Sequence, residues 1–180
     1  RPDVFIAEPV GSCTDLVATV TYPLRRLYGD SFTVAPVSVL VDPIRARRVF
    51  GLEKGGNFSE KVIYIYLKQI EEADLVIISK SDLLDEARLE ALRTAIAAKF
   101  PRKEILFASP RKGTNLDTWF ARITSEEQPA GQAMPVDYQV YADGEALLGW
   151  LNGTVQLAAT QAFDSDKFLT RLASEVQKRL

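Results

Sequence analysis

The 180 residues predict an α/β fold: a parallel sheet over residues 1–123, a linker over 124–135, and a small α+β domain over 136–180. Three observations carry this expectation. Leu75-Val76-Ile77-Ile78 is an apolar run with no polar interruption, which suits a central parallel strand covered on both faces. Amphipathic stretches and further apolar runs lie on both sides of it, and strand–helix units in series predict right-handed crossovers and a parallel sheet. Thr124 to Pro135 is polar and holds two prolines and a glycine, and the pattern changes beyond it.

In chain order, Val4-Phe5-Ile6-Ala7 predicts a short buried strand, with Glu8-Pro9-Val10-Gly11 at its carboxyl end. A carboxylate there suits a metal-bound water, and the glycine lets backbone approach a phosphate. The same residues also read as a strand-to-helix turn, with Thr14 or Asp15 as the cap. Asp15 to Tyr28 predicts a helix with Leu16, Val17, Val20 and Leu27 inward, kinked or ended by Pro23. Phe32 to Val41 predicts a second strand, ended by Asp42-Pro43, and Arg45, Arg47 and Arg48 read as solvated surface. Gly51 to Asn57 is a glycine-containing loop, after which Ser59 caps a helix with Val62, Ile63, Tyr66, Leu67 and Ile70 on one face.

Asp85 to Phe100 follows the central strand as an amphipathic helix with Leu89, Leu92, Ile96 and Phe100 inward, stopped by Pro101. Glu104 to Ala108 predicts another buried strand, with the Ser109–Asn115 loop at its carboxyl end. Leu116, Trp119, Phe120 and Ile123 repeat at helical spacing. Beyond the linker, Val136 to Tyr141 is strand-like, and Ala146 to Ala159 predicts a strand interrupted at Gly149 or Gly153. Asp164 or Ser165 caps a last helix, with Phe168, Leu169, Leu172, Val176 and Leu180 inward.

Composition narrows the chemistry. A formal net charge of -2 gives no nucleic-acid footprint. No apolar stretch approaches membrane-spanning length, and no signal peptide opens the sequence. Cys13 is the single cysteine, which excludes an internal disulfide and points to a reducing, cytoplasmic compartment. With no histidine, Ser-His and Cys-His catalysis and most zinc sites are excluded from these residues. The opening Arg1-Pro2-Asp3, without methionine and directly before an apolar run, leads us to expect further residues upstream.

Ser79-Lys80-Ser81-Asp82 stands at the carboxyl end of the central strand, the edge where ligands bind in open α/β sheets. A guanine base offers two adjacent N–H donors, and one carboxylate accepts both in a forked, charge-assisted pair. Adenine lacks that donor pair, so a fixed Asp82 selects guanine. Lys80, two residues earlier, can lay its methylene stem on the base plane while its ammonium stays in water. Taken alone, these four residues are also ordinary composition for a solvated turn.

The motifs in order are Glu8-x-x-Gly11, Phe58-Ser59-x-Lys61, Gln69-x-x-x-Ala73-Asp74, Ser79-Lys80-Ser81-Asp82-Leu83, and Ser109 with Gly113. Over roughly Asp3 to Ile123 this combination resembles the CobW-type GTPases, related to the HypB and UreG nickel-insertion proteins. The resemblance implies part of a phosphate-loop NTPase fold. It also implies that Glu8 lies near the magnesium and the γ-phosphate, with Gly11 in the switch that senses it. Asp82 would read guanine, Lys80 would pack along the base, and the backbone N–H of Ser109 would face the guanine carbonyl, with Gly113 in the same loop. The segment from Met134 to Leu180 is similar to the smaller C-terminal domain of such proteins, particularly in its LGWLN stretch.

Three features depart from the family pattern. Ser79 replaces the asparagine that begins the base-reading motif and ties neighbouring loops together. The phosphate-loop pattern of glycine, four residues, glycine, lysine and serine or threonine occurs nowhere. The family's cysteine-rich metal motif is also absent, although Cys13, beside the switch, is a candidate member of a metal site.

The function implied is that of a GTP-binding and GTP-hydrolysing switch using magnesium, a metallochaperone or cofactor-insertion factor. Zinc, cobalt or nickel would be its cargo, and a metalloprotein or cofactor enzyme its client. The alternative is a non-catalytic binding or assembly module on a degenerate scaffold. An α/β enzyme acting on another phosphorylated ligand ranks last, because it makes no use of the spacing between the two loops. The 180 residues alone are expected to bind GTP weakly or not at all. A missing strand beside the one carrying Glu8 would leave an apolar edge, so an oligomer or pairing with an upstream segment is expected.

Overall fold

Leu75–Ile78 forms β2, and all four of its residues are buried. It is the middle strand of a three-stranded sheet of order β1-β2-β3 in a computed structural model that describes residues 3–29, 31–56, 58–125, 134–148 and 153–179. β1 (Ser38–Val41) pairs with it in parallel from Ser38↔Leu75 to Val41↔Ile78. β3 (Glu104–Phe107) pairs in parallel on its other side from Leu75↔Glu104 to Ile78↔Phe107. The connections are α2 (Pro43–Val49) and α3 (Glu60–Glu72) from β1 to β2, and α4 (Glu86–Lys99) from β2 to β3. The mixed α/β class and the parallel sheet are as the sequence leads one to expect.

Strand alternation divides the core. Val76 and Ile78 pack with Val41, Ala46, Ile70, Leu92 and Ile96, so α2, α3 and α4 cover one face. Leu75 and Ile77 pack with Ala108, Leu116, Trp119 and Ile123, which places α5 (Leu116–Ser125) on the other. Local chemistry sets the helix starts: Asp42, Ser59 and Asp85 accept the N–H groups of Arg45, Val62 and Arg88 at 3.0, 3.4 and 2.8 Å. Pro43 occupies the first turn of α2, where its missing N–H costs nothing. Asp74 anchors the entry to β1 by accepting the N–H of Val37 at 2.9 Å. Lys103 donates to the carbonyl of Ala73 at 2.7 Å, and burial holds its ammonium below the usual lysine range.

Several expectations are corrected. Val4–Ala7 is not a strand: among the described residues no strand pairs with the outer edge of β1, and Val4, Phe5 and Ile6 are exposed. Four apolar residues make a strand only where a neighbour satisfies their backbone. Of Phe32 to Val41, only Ser38–Val41 is strand, and Pro36, without an N–H, lies just before it. The helix after Asp15 starts as a π-helical turn, Val17–Thr21, and continues as α1 (Tyr22–Tyr28), with Pro23 at the junction. Its Val20 and Leu27 are exposed rather than inward.

Val136–Tyr141 is not strand-like either. Asp137 accepts from the N–H groups of Gln139 and Val140 at 3.0 and 3.1 Å and starts α6 (Tyr138–Ala146). This helix docks on α3 through Lys61 and Asp143 at 2.5 Å, and through the Asp137 N–H, which donates to the Tyr64 hydroxyl at 2.8 Å. The chain divides into compact units after Leu148. Of the expected linker, residues 126–133 lie outside the described ones, as do residues 149–152 of the LGWLN stretch and Leu180. In the second unit, residues 153–159 carry no strand, and Asp164 caps α7 (Ser165–Gln177), whose Phe168, Leu169, Leu172 and Val176 are exposed, not inward. No described helix is long and apolar enough to cross a membrane.

Two substitutions test this packing. Ile78→Ala, at a side chain with 0% exposure, is expected to cost about 2–5 kcal/mol in urea denaturation. Leu40→Ala, at 54% exposure, should cost well under half of that. Gly144→Ala would place a Cβ 2.7 Å from Ile65 Cδ1 and 2.8 Å from the Lys61 carbonyl oxygen. Overpacking of about 1–3 kcal/mol should then outweigh the ~1 kcal/mol helix-propensity gain of alanine. Faster amide exchange in α6 would report the loss of docking.

Candidate functional site

Because β1, β2 and β3 pair in register, their carboxyl ends at Val41, Ile78 and Phe107 stand side by side. Three loops therefore leave from one edge. Ser79 ties the first two: its N–H and its hydroxyl both donate to the Val41 carbonyl, at 2.9 and 3.1 Å. These bonds run to the last residue of the neighbouring strand. Lys80 takes a left-handed backbone conformation, φ 50°, and its ammonium donates to Asp42 Oδ2 at 2.8 Å. The Ser81 N–H donates to the Ala108 carbonyl at 3.1 Å, joining the second loop to the third.

Asp82 then meets Ser109, 27 residues further on. The buried Ser109 hydroxyl donates to Asp82 Oδ1 at 2.5 Å and accepts the Lys112 N–H at 3.2 Å. Ser109 and Thr114 form an antiparallel bridge, each N–H donating to the other's carbonyl at 3.1 Å. Gly113, at φ 69°, supplies the left-handed residue that closes the turn between them. The Ser109 N–H is therefore engaged with Thr114 rather than open towards a base.

The electrostatics favour ionised carboxylates. The Ser109 hydroxyl, helped by the charges of Arg111 and Lys112, holds exposed Asp82 below the usual carboxylate range. Burial pushes Asp42 up, but the Lys80 ammonium and the Arg45 N–H outweigh it, and Asp42 is also held low. An ionised, exposed carboxylate with a lysine two residues away is chemically able to accept a pair of N–H donors.

Ser79, Lys80, Asp82, Ser109 and Gly113 are thus gathered at one edge, whereas Glu8, Gly11 and Cys13 belong to another arrangement. Glu8 is exposed in a stretch without regular structure. Gly11 opens a turn in which the N–H of half-buried Cys13 donates to the Val10 carbonyl at 2.8 Å. The Gln69 side-chain amide donates to the carbonyls of Gly11 and Cys13, both at 2.8 Å, and the Val17 N–H donates to Glu72 at 2.7 Å. Among the described residues no hydrogen bond or ion pair links this turn to the Asp82 loop. Nor does any group of three or more Cys, Asp or Glu among them form a metal site.

Sequence reasoning missed Asp42, read only as the end of a strand. The available signal was its place directly after β1, level with Ser79 in the register. Arg45 is exposed, as expected of solvated surface, but Arg47 and Arg48 are not. Arg47 pairs with Glu53 at 3.2 Å, and Arg48 is half-buried, because the loop 51–56 folds back over α2.

No family model matches the chain, and no curated protein or solved structure matches it either.

Ser109→Ala should move the Asp82 titration up towards the ordinary carboxylate range, as followed by ¹³C NMR of the side-chain carboxyl. A pKa depressed in the folded state contributes stability above the unfolded carboxylate pKa and loses it as pH falls through the folded value. The stability difference between parent and variant should accordingly shrink in acid. An Asp82 titration unmoved by the substitution would show that the hydroxyl does not set it.

Proposed function

We propose that the Ser79–Asp82 and Ser109–Gly113 loops are the base-recognition part of a guanine-nucleotide-dependent switch of the CobW type. The observation that carries this reading is the convergence of Asp82 on the Ser109 turn at 2.5 Å, with Lys80 on the same edge. Asp82 presents an ionised carboxylate to the two N–H donors of guanine, and the Lys80 stem flanks the base. Binding has to open the Ser109–Thr114 bridge for the Ser109 N–H to serve the guanine carbonyl, or find that carbonyl another donor. In this reading hydrolysis of GTP depends on positioning and on charge around the γ-phosphate, with water as nucleophile. Magnesium and the phosphates would be held largely by residues outside this sequence, with Glu8 reaching the ion through water and Gly11 sensing the γ-phosphate. A metal cargo such as zinc, cobalt or nickel, and a client that receives it, follow from the same resemblance.

Separate observations favour a second reading, a binding or assembly module without catalysis. The Ser109 N–H is already spent on Thr114, Glu8 is exposed in a stretch without regular structure, and Gly11 lies in a turn held by Gln69. Nucleotide titration decides between them. In the full-length protein GTP should bind more than tenfold tighter than ATP, about the value of one charge-assisted pair. Asp82→Asn should erase that preference. Equal affinity for the two nucleotides in the parent protein would overturn the switch and leave the module.

A further inference from the structure

A cavity of about 330 Å³ opens beside the carboxyl end of β1, lined by Asp42, Ile44, Arg45, Arg48, Gly56 and Phe58. That volume is at the low end for small-molecule sites and exceeds what a bare ion occupies. Its walls are cationic. The Arg45 guanidinium lies over the Phe58 ring, 4.8 Å from the centroid, which restrains an otherwise flexible side chain. Arg48 is half-buried, and its Nε is buried with no hydrogen-bond acceptor. Gly55 presses against it: a Cβ there would come within 2.8 Å of that nitrogen, so glycine leaves the guanidinium its place.

Among the described residues of the lining Asp42 is the one acidic group, and it is already committed. Its Oδ1 accepts the Arg45 N–H and its Oδ2 accepts the Lys80 ammonium, which brings a third cation to the same wall. Outside the lining, the Tyr66 hydroxyl, near enough to Asp42 and Arg45 to feel their charges, is also buried without a partner. Burial, and then the charge of Asp42, push its phenol well above the usual range, so it remains a neutral donor. A buried guanidinium donor lacking an acceptor, in a cationic cavity, marks a place that fits an anion with several acceptor oxygens.

We propose that this cavity binds the phosphate group of a small phosphorylated molecule. Guanidinium forks match phosphate oxygens better than lysine ammonium groups do, and two arginines line the space. Ile44 and the Phe58 ring give the remainder of the molecule an apolar side. The site does not rest on the guanine reading and uses neither Asp82 nor Ser109.

The test is calorimetric titration of the full chain with inorganic phosphate, ribose 5-phosphate and ribose. Both phosphates should bind saturably at millimolar concentrations, and ribose should not. Tighter binding of the sugar phosphate would assign the organic part to the Phe58 side; equal binding would assign the phosphate group alone. Arg48→Ala and Gly56→Asp should each weaken phosphate at least about tenfold. A Cβ at Gly56 meets nothing within 4 Å, so that variant adds a carboxylate at the rim with Arg48 and the packing intact. Asp82→Asn should leave the phosphate titration unchanged, which separates this site from base recognition. No saturable binding of either phosphate, or binding that Gly56→Asp leaves unaltered, would overturn the proposal.

Discussion

The pairing of β2 along both of its edges is the constraint from which the rest follows. Four residues without polar side chains sit between two parallel neighbours, with helices on both faces. Parallel register fixes where each strand stops, and all three stop level with one another. Every loop that leaves them emerges into the same space. Asp42, Lys80, Asp82 and Ser109 meet because the ladder lines up their exits, although they lie far apart in sequence. Their mutual hydrogen bonds then stiffen an edge that the strands have already assembled.

What was legible in the sequence was what short-range chemistry decides. β2 is readable because burial on both faces leaves no polar position. α3 is readable from the Ser59 cap, and α4 from its stripe of Leu89, Leu92 and Ile96 and the stop at Pro101. The two loops at the sheet edge are readable as loops because each directly follows a strand. Val4–Ala7 failed because an apolar run says nothing of whether a neighbouring backbone is there to pair with it. Val136–Tyr141 failed because the Asp137 carboxylate, accepting two N–H groups, starts a helix there.

The candidate site was legible in its members and not in its contacts. The partner of Lys80 is Asp42, 38 residues earlier, and only strand register could supply that pairing. The bridge that engages the Ser109 N–H depends on Gly113 turning left-handed, one of several conformations open to a glycine. The half-burial of Arg48 depends on the loop 51–56 returning over α2, and no local pattern encodes that return. The Ser109 hydroxyl holds Asp82 in place, and the same contact occupies one of its oxygens. A ligand at Asp82 would have to share its carboxylate with that hydroxyl or displace it, and a hydrogen bond to an ionised group is worth about 1.5–3 kcal/mol.

Lys80 makes two demands at once. Its φ of 50° lies where side chains with a Cβ are uncomfortable, and its ammonium spans to Asp42. Glycine or asparagine would relax the backbone and surrender the charge; arginine would keep the charge and the discomfort. Few of the twenty amino acids meet both conditions. The position is therefore a narrow one for sequence drift, and a change accepted there would call for a second change at Asp42.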